Sequence, residues 1–149
     1  MNNYALFFIA ILGGMFLAAQ GGINAQLGVL LKHPMLASVV AFFSSFIFAV
    51  IFGLINIKNT PTIAEIKSIP FYFWFVGGLC SVVGVSIYYY TIPKLGIATM
   101  ISLGLFGQLL FSIIIGHFGW LNLPVEPITI KRISGVIVMI IGILLINIK

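Results

Sequence analysis

Residues 35–57 read MLASVVAFFSSFIFAVIFGLINI, a stretch without a single charged side chain. As an α-helix rising about 1.5 Å per residue, it is about 34 Å long, and the hydrocarbon core of a bilayer is about 30 Å thick. Lys32 lies just before the stretch and Lys58 follows it directly. The stretch therefore predicts a transmembrane helix with a basic residue near each end.

The rest of the chain repeats this pattern. Of its 149 residues, 62% are hydrophobic and 6% are charged, and the mean hydropathy is +1.27, which excludes an ordinary soluble globular domain. Apolar runs of spanning length fall at about 4–31, 35–57, 71–92, 96–118 and 133–148. We predict an all-α integral membrane protein with five transmembrane helices, which form a single transmembrane domain over residues 1–149.

The two longer loops carry helix-start signals. Thr62 is followed three residues later by Glu65, which is a capping-box pattern. It predicts a short interfacial helix and gives Glu65 a structural role. Thr129 is the expected N-cap of the last transmembrane helix.

Basic residues are almost evenly divided between the two faces of such a protein. With five crossings, four Lys or Arg residues lie on the membrane face of the amino terminus and three lie on the opposite face. The first group is Lys58, Lys67, Lys131 and Arg132, and the second group is Lys32, Lys94 and Lys149. A fixed orientation normally comes with a clear excess of Lys and Arg on the cytoplasmic side. The weak bias predicts insertion in both orientations and an antiparallel homodimer with inverted symmetry. The alternative is a single, weakly biased orientation.

Polar side chains recur at helical spacing inside the apolar runs. The amides of Gln20, Asn24 and Gln108 are costly in hydrocarbon unless they meet polar partners or water, so they are candidates for lining a substrate cavity. Weaker candidates share these stripes and are Ser112, Ser81, Tyr88 and Phe42. The competing interpretation for all seven is ordinary helix packing and hydrogen bonding between helices.

Several kinds of function lack their usual residues. No Asp or Glu lies within the five runs, which argues against proton coupling by a buried acid. His117 is the titratable candidate near the membrane, at the end of the fourth run. We find no catalytic constellation, so we expect neither an enzyme nor a cofactor or metal. The bases are spread along the chain and form no patch, so we also expect no nucleic-acid partner.

An ordered set of motifs resembles a known family. The run from Gln20 to Gly28 (QGGINAQLG) is followed by further matching elements, which are His33-Pro34, Gly77-Gly78, Pro93-Lys94-Leu95-Gly96, Gly107-Gln108 and His117-Phe118-Gly119. Together they are similar to the YdcZ-type inner-membrane exporters, short members of the drug/metabolite transporter superfamily. The resemblance covers nearly the whole chain.

That resemblance implies a bacterial cytoplasmic membrane location and pairs of oppositely oriented five-helix chains. It also places Gln20, Asn24 and Gln108 at family motif positions. Many relatives carry an acid just before the His-Phe-Gly element, where this chain has Gly116, so a mechanism that uses that acid is not carried over. We expect export of a small organic solute by alternating access; a dual-topology channel and a non-transporting accessory subunit are the alternatives.

Overall fold

The computed structural model describes residues 3–57 and 60–148, and these residues form six α-helices. The helices are α1 (Asn3–Leu30), α2 (Pro34–Asn56), α3 (Ile63–Ser68), α4 (Val76–Leu95), α5 (Ile97–Phe118) and α6 (Ile130–Asn147). Five segments are long and apolar enough to cross a membrane, namely α1, α2, the segment Phe71–Leu95, α5 and α6. The expectation of five spanning helices is therefore confirmed. Lys58 and Lys149, two of the bases counted above, lie outside the described residues.

The third predicted run, at 71–92, differs from the structure at both ends. Its first residues, Phe71–Trp74, form a 3₁₀ helix before α4 begins at Val76. At the other end α4 continues through Pro93 to Leu95. Pro93 has no N–H to donate to the carbonyl oxygen of Tyr89, but transmembrane helices tolerate proline, so the helix does not stop at residue 92. The connection to α5 is the single residue Gly96, whose φ of +86° suits glycine.

The helix caps follow the local sequence closely. The backbone N–H of Thr62 donates to Glu65 Oε2 at 2.7 Å, and the backbone N–H of Glu65 donates to Thr62 Oγ1 at 3.3 Å. These bonds form the predicted capping box and confirm the structural role of Glu65. The backbone N–H of Thr62, and to a smaller extent its hydroxyl, lower the pKa of the Glu65 carboxyl by hydrogen bonding to it. Thr129 caps α6 as predicted, so α6 begins at Ile130 rather than at 133.

The chain divides into two compact units, residues 1–94 and 95–149. In the first unit α1 packs against α2, and the buried residues of both helices are small: Gly21, Ala25 and Gly28 of α1 and Ala37, Ser38 and Ala41 of α2. Gly28 lies against Pro34 and Ala37, whereas Gly21 lies against Ile92 of α4. In the second unit, α5 packs against α6. Small residues let two helix backbones approach closely where lipid removes the hydrophobic driving force. The single domain predicted over 1–149 stays a prediction.

Large apolar side chains point outward in both units. Leu54 is 79% exposed and Ile130 is 86% exposed, while the buried core consists mainly of small side chains. In water, apolar patches of this extent would promote aggregation. In a bilayer they face a medium as apolar as themselves, so the exposed surface agrees with a membrane-spanning protein.

Candidate functional site

Two of the predicted amides meet on one hydroxyl in the first unit. Asn24 Nδ2 donates to Tyr89 Oη at 2.9 Å, and Gln20 Nε2 donates to the same oxygen at 3.4 Å. Tyr89 is buried, with 2% of its surface exposed, whereas Asn24 is half-buried and Gln20 is exposed. We call Gln20, Asn24 and Tyr89 the amide–tyrosine cluster. The structure thus brings Gln20 and Asn24 together through a residue that the sequence analysis did not select.

Helical spacing explains how the cluster forms. Gln20 and Asn24 are four residues apart and so lie on one face of α1. Tyr89 and Ile92 are three apart on α4, and both are buried. Between the two faces lies Gly21, where an added Cβ would come to 3.5 Å from Ile92 Cδ1. An added Cβ there would make an ordinary van der Waals contact, so Ile92 packs directly against α1 beside the cluster.

The cluster lies well inside the membrane. Gln20 is ten residues before the end of α1 at Leu30, which is about 15 Å along the helix, or half of a ~30 Å core. Asn24 and Tyr89 each lie six residues before the ends of their helices, which is about 9 Å. Polar groups at this depth need partners, and the amides and the phenol provide them for one another.

A second polar contact joins α2 to α4. The hydroxyl oxygens of Ser38 and Ser86 are 2.8 Å apart, and Ser38 is fully buried. Ser38 also donates to the carbonyl oxygen of Pro34 at 3.3 Å. Neither serine was selected from the sequence. Their position within apolar runs was the available signal, but it does not separate them from serines that bond to their own helix.

The weaker candidates of the first unit occupy varied environments. Phe42 of α2 and Tyr88 of α4 are half-buried, and Ser81 of α4 is exposed. Tyr89, the residue next to Tyr88, carries the hydroxyl of the cluster. The lining role of Phe42, Ser81 and Tyr88 stays a prediction.

In the second unit, Gln108 and Ser112 are exposed residues of α5. Ser112 donates to the carbonyl oxygen of Leu109 in its own helix at 2.8 Å. It also lines a cavity of about 410 Å³ that Glu126 and Arg132 border. The substrate role of Gln108 and Ser112 stays a prediction. His117, whose role the sequence left open, lies exposed in the last turn of α5.

Glu126 and Arg132 hold the loop before α6. Their side chains form an ion pair, and Arg132 Nη1 also donates to the carbonyl oxygen of Glu126 at 3.1 Å. The backbone N–H of Glu126 donates to the carbonyl oxygen of Gly116 at 2.8 Å, which fastens the loop to the end of α5. Both charged groups are thus engaged in shaping the loop.

The amide–tyrosine cluster offers neutral donors and acceptors. Such a set can bind and orient a solute by hydrogen bonds. The cluster is therefore suited to binding a solute.

Comparison with known families gives one result. The family described as "Putative inner membrane exporter, YdcZ" matches residues 5–145. Comparisons with curated proteins and with solved structures give no significant match. The match covers all five segments of spanning length except the ends of the first and last. The chain therefore belongs to the YdcZ inner membrane exporter family and is a multi-pass protein of that membrane.

Proposed function

We propose that this chain exports a small organic solute by alternating access and that it works as an antiparallel homodimer. The observation that carries the proposal is the amide–tyrosine cluster, a set of hydrogen-bonding groups about 9–15 Å from the ends of two spanning segments in a member of an exporter family. In the proposed dimer, Gln20, Asn24 and Gln108 of both chains converge near the midplane. Sites of this kind lie near the midplane in many transporters built from inverted repeats.

The partial exposure of the amides supports a binding role. Gln20 is exposed and its bond to Tyr89 is long, at 3.4 Å, so a solute can compete for this amide at low cost. Asn24 is held more firmly at 2.9 Å. In this scheme the buried Tyr89 fixes Asn24, while Gln20 is the adaptable contact.

The near balance of basic residues supports the antiparallel arrangement. A chain with seven Lys and Arg residues divided four to three has little electrostatic reason to choose one orientation. Two oppositely oriented copies would reproduce the inverted symmetry that many transporters encode within one chain.

A ligand screen tests the binding site. The purified chain is heated with representatives of metabolite classes, because a ligand that binds the folded state raises its melting temperature. Any stabilising compound is then titrated against Gln20→Leu, Asn24→Leu and Gln108→Leu. Each lost hydrogen bond is expected to weaken binding by about two- to tenfold. The matched control is Asn56→Leu, since Asn56 bonds the carbonyl oxygen of Phe52 in its own helix.

The same compound then distinguishes the kinds of transport. Saturable, slow uptake into liposomes is expected of an alternating-access transporter, whereas flux near the diffusion rate would indicate a channel. The absence of both binding and flux would indicate an accessory subunit. Unchanged affinity in all three amide variants would refute the site.

A further inference from the structure

A small cavity in the first unit lies where α1 and α4 end. Its volume is about 210 Å³, and two lysines, Lys32 and Lys94, are among the residues that line it. Lys32 follows α1 directly, and Lys94 is in the last turn of α4. The fold thus brings two basic residues that are far apart in sequence to one cavity.

No acidic side chain neutralises this pair. The chain has two acidic residues in all, Glu65 and Glu126. Glu126 pairs with Arg132 in the second unit, and Glu65 caps α3, beyond the far end of α2 from Lys32. The 23 residues of α2 separate those two ends by about 34 Å. Both lysines therefore lie at the cavity without a carboxylate side chain to pair with.

Lys94 is held in place without losing its charge. Its Nζ lies 3.5 Å from the centre of the Tyr90 ring, a cation–π contact that orients the ammonium group but does not cancel it. The surface of the cavity is mostly apolar, and its other lining residues include Val29, Tyr89 and Pro93. The cavity thus combines two lysines with an otherwise apolar lining.

Lys32 also has an unusual backbone. Its φ is +55°, a left-handed conformation that glycine or asparagine adopts more easily than lysine. The turn into α2 would form with less strain if position 32 were glycine. A strained non-glycine residue is a reason to look for a role of its side chain.

We propose that the Lys32–Lys94 cavity binds the phosphate of an acidic phospholipid. Lysines just beyond transmembrane runs lie at the level of the lipid headgroups, where anionic lipids concentrate negative charge. The two ammonium groups complement that charge, and the apolar walls accept the start of an acyl chain. The cavity shares Tyr89 with the amide–tyrosine cluster, but its two lysines take no part in that cluster.

Lipid retention tests this proposal. The purified full-length chain is incubated in detergent with phosphatidylglycerol or phosphatidylcholine, and bound lipid is counted by native mass spectrometry. The wild-type chain is expected to retain more phosphatidylglycerol than phosphatidylcholine. Lys32→Gln and Lys94→Gln are each expected to weaken binding by about fivefold, and the double variant by about thirtyfold. Lys32→Arg with Lys94→Arg keeps both charges and is expected to retain the lipid.

Two controls make the result decisive. Lys67→Gln removes a lysine from the exposed helix α3 and is expected to leave retention unchanged. Glycerol 3-phosphate carries the phosphate without acyl chains and is expected to compete poorly. Equal retention by wild type and the double glutamine variant would overturn the site. Equal binding of glycerol 3-phosphate and phosphatidylglycerol would show that the site takes a soluble anion and overturn the lipid assignment.

Discussion

The two compact units use their polar side chains differently. In residues 1–94, side chains bond from helix to helix, as Asn24 does with Tyr89 and Ser38 with Ser86. In residues 95–149, Ser112 and Ser134 bond carbonyls of their own helices, and the charged contact of Arg132 stabilises a loop.

This difference indicates where specific recognition lies. Hydrogen bonds between helices in hydrocarbon fix which residues face one another, whereas back-bonded serines leave helix pairing to van der Waals packing. Removing a single polar group should therefore lower the free energy of unfolding strongly in the first unit and weakly in the second unit. Tyr89→Phe and Glu126→Gln test this contrast, and Gly28→Val tests the close packing of α1 on α2.

The largest effect is expected for Gly28→Val in the first unit. A Cβ at Gly28 would lie 3.3 Å from Pro34 Cα and 3.5 Å from Ala37 Cβ, so the branches of valine must push α2 away. We expect a loss of about 1–3 kcal/mol of unfolding free energy, measured by reversible unfolding in detergent. The control is Gly13→Val, since an added Cβ at Gly13 has no neighbour within 4 Å. Equal losses in both variants would contradict the close packing of α1 on α2.

A smaller effect is expected for Tyr89→Phe. The change keeps the ring but removes the oxygen to which Gln20 and Asn24 donate. An average hydrogen bond between membrane helices contributes about 0.6 kcal/mol, and the strongest contribute about 1.7 kcal/mol. Because two such bonds are lost, we expect the free energy of unfolding to fall by about 1–2 kcal/mol in the same assay. Tyr72→Phe is the matched control, because Tyr72 is exposed and its ring stays stacked on Phe73. If the Tyr89→Phe variant were as stable as the control, the claim that the amide–tyrosine cluster stabilises the first unit would be wrong.

The smallest effect is expected for Glu126→Gln in the second unit. The ion pair with Arg132 is solvent-accessible, and such pairs are worth about 0–1 kcal/mol and weaken in salt. We expect a loss of about 0.5 kcal/mol at low ionic strength that disappears in concentrated salt. A larger loss that persists in salt would show that the second unit depends on polar groups as strongly as the first.

The features that sequence predicted well are local ones. The five spanning segments follow from uninterrupted apolar runs, and the caps at Thr62 and Thr129 follow from bonds within four residues. The pairing of Gln20 with Asn24 on one face needs only the helical period. Each of these depends on neighbours along the chain.

The features that sequence missed depend on contacts between helices. Three consecutive tyrosines, 88–90, all fit the apolar run, and each step turns the side chain by about 100° around the helix. The sequence analysis selected Tyr88, but Tyr89 is the one that meets α1. Tyr89 shares the buried face of α4 with Ile92, which packs beside Gly21 of α1. The periodicity of α4 alone does not contain this contact between helices.

The central claim is that the chain inserts in both orientations, so that two copies form one exporter. His33 lies in the turn before α2, and Pro61 lies in the loop after it, and both are exposed. Because α2 is long enough to cross the membrane, these two positions are on opposite faces in any one molecule.

Cysteine labelling in intact cells measures orientation directly. His33→Cys and Pro61→Cys are made separately in a Cys80→Ser background, since Cys80 is the one cysteine of the chain. A membrane-impermeant maleimide is applied before and after the cells are opened. With two orientations, each variant is expected to react in about half of its molecules before opening and in the remainder afterwards. Complete reaction of one variant before opening, with none of the other, would contradict dual insertion and the antiparallel dimer with it.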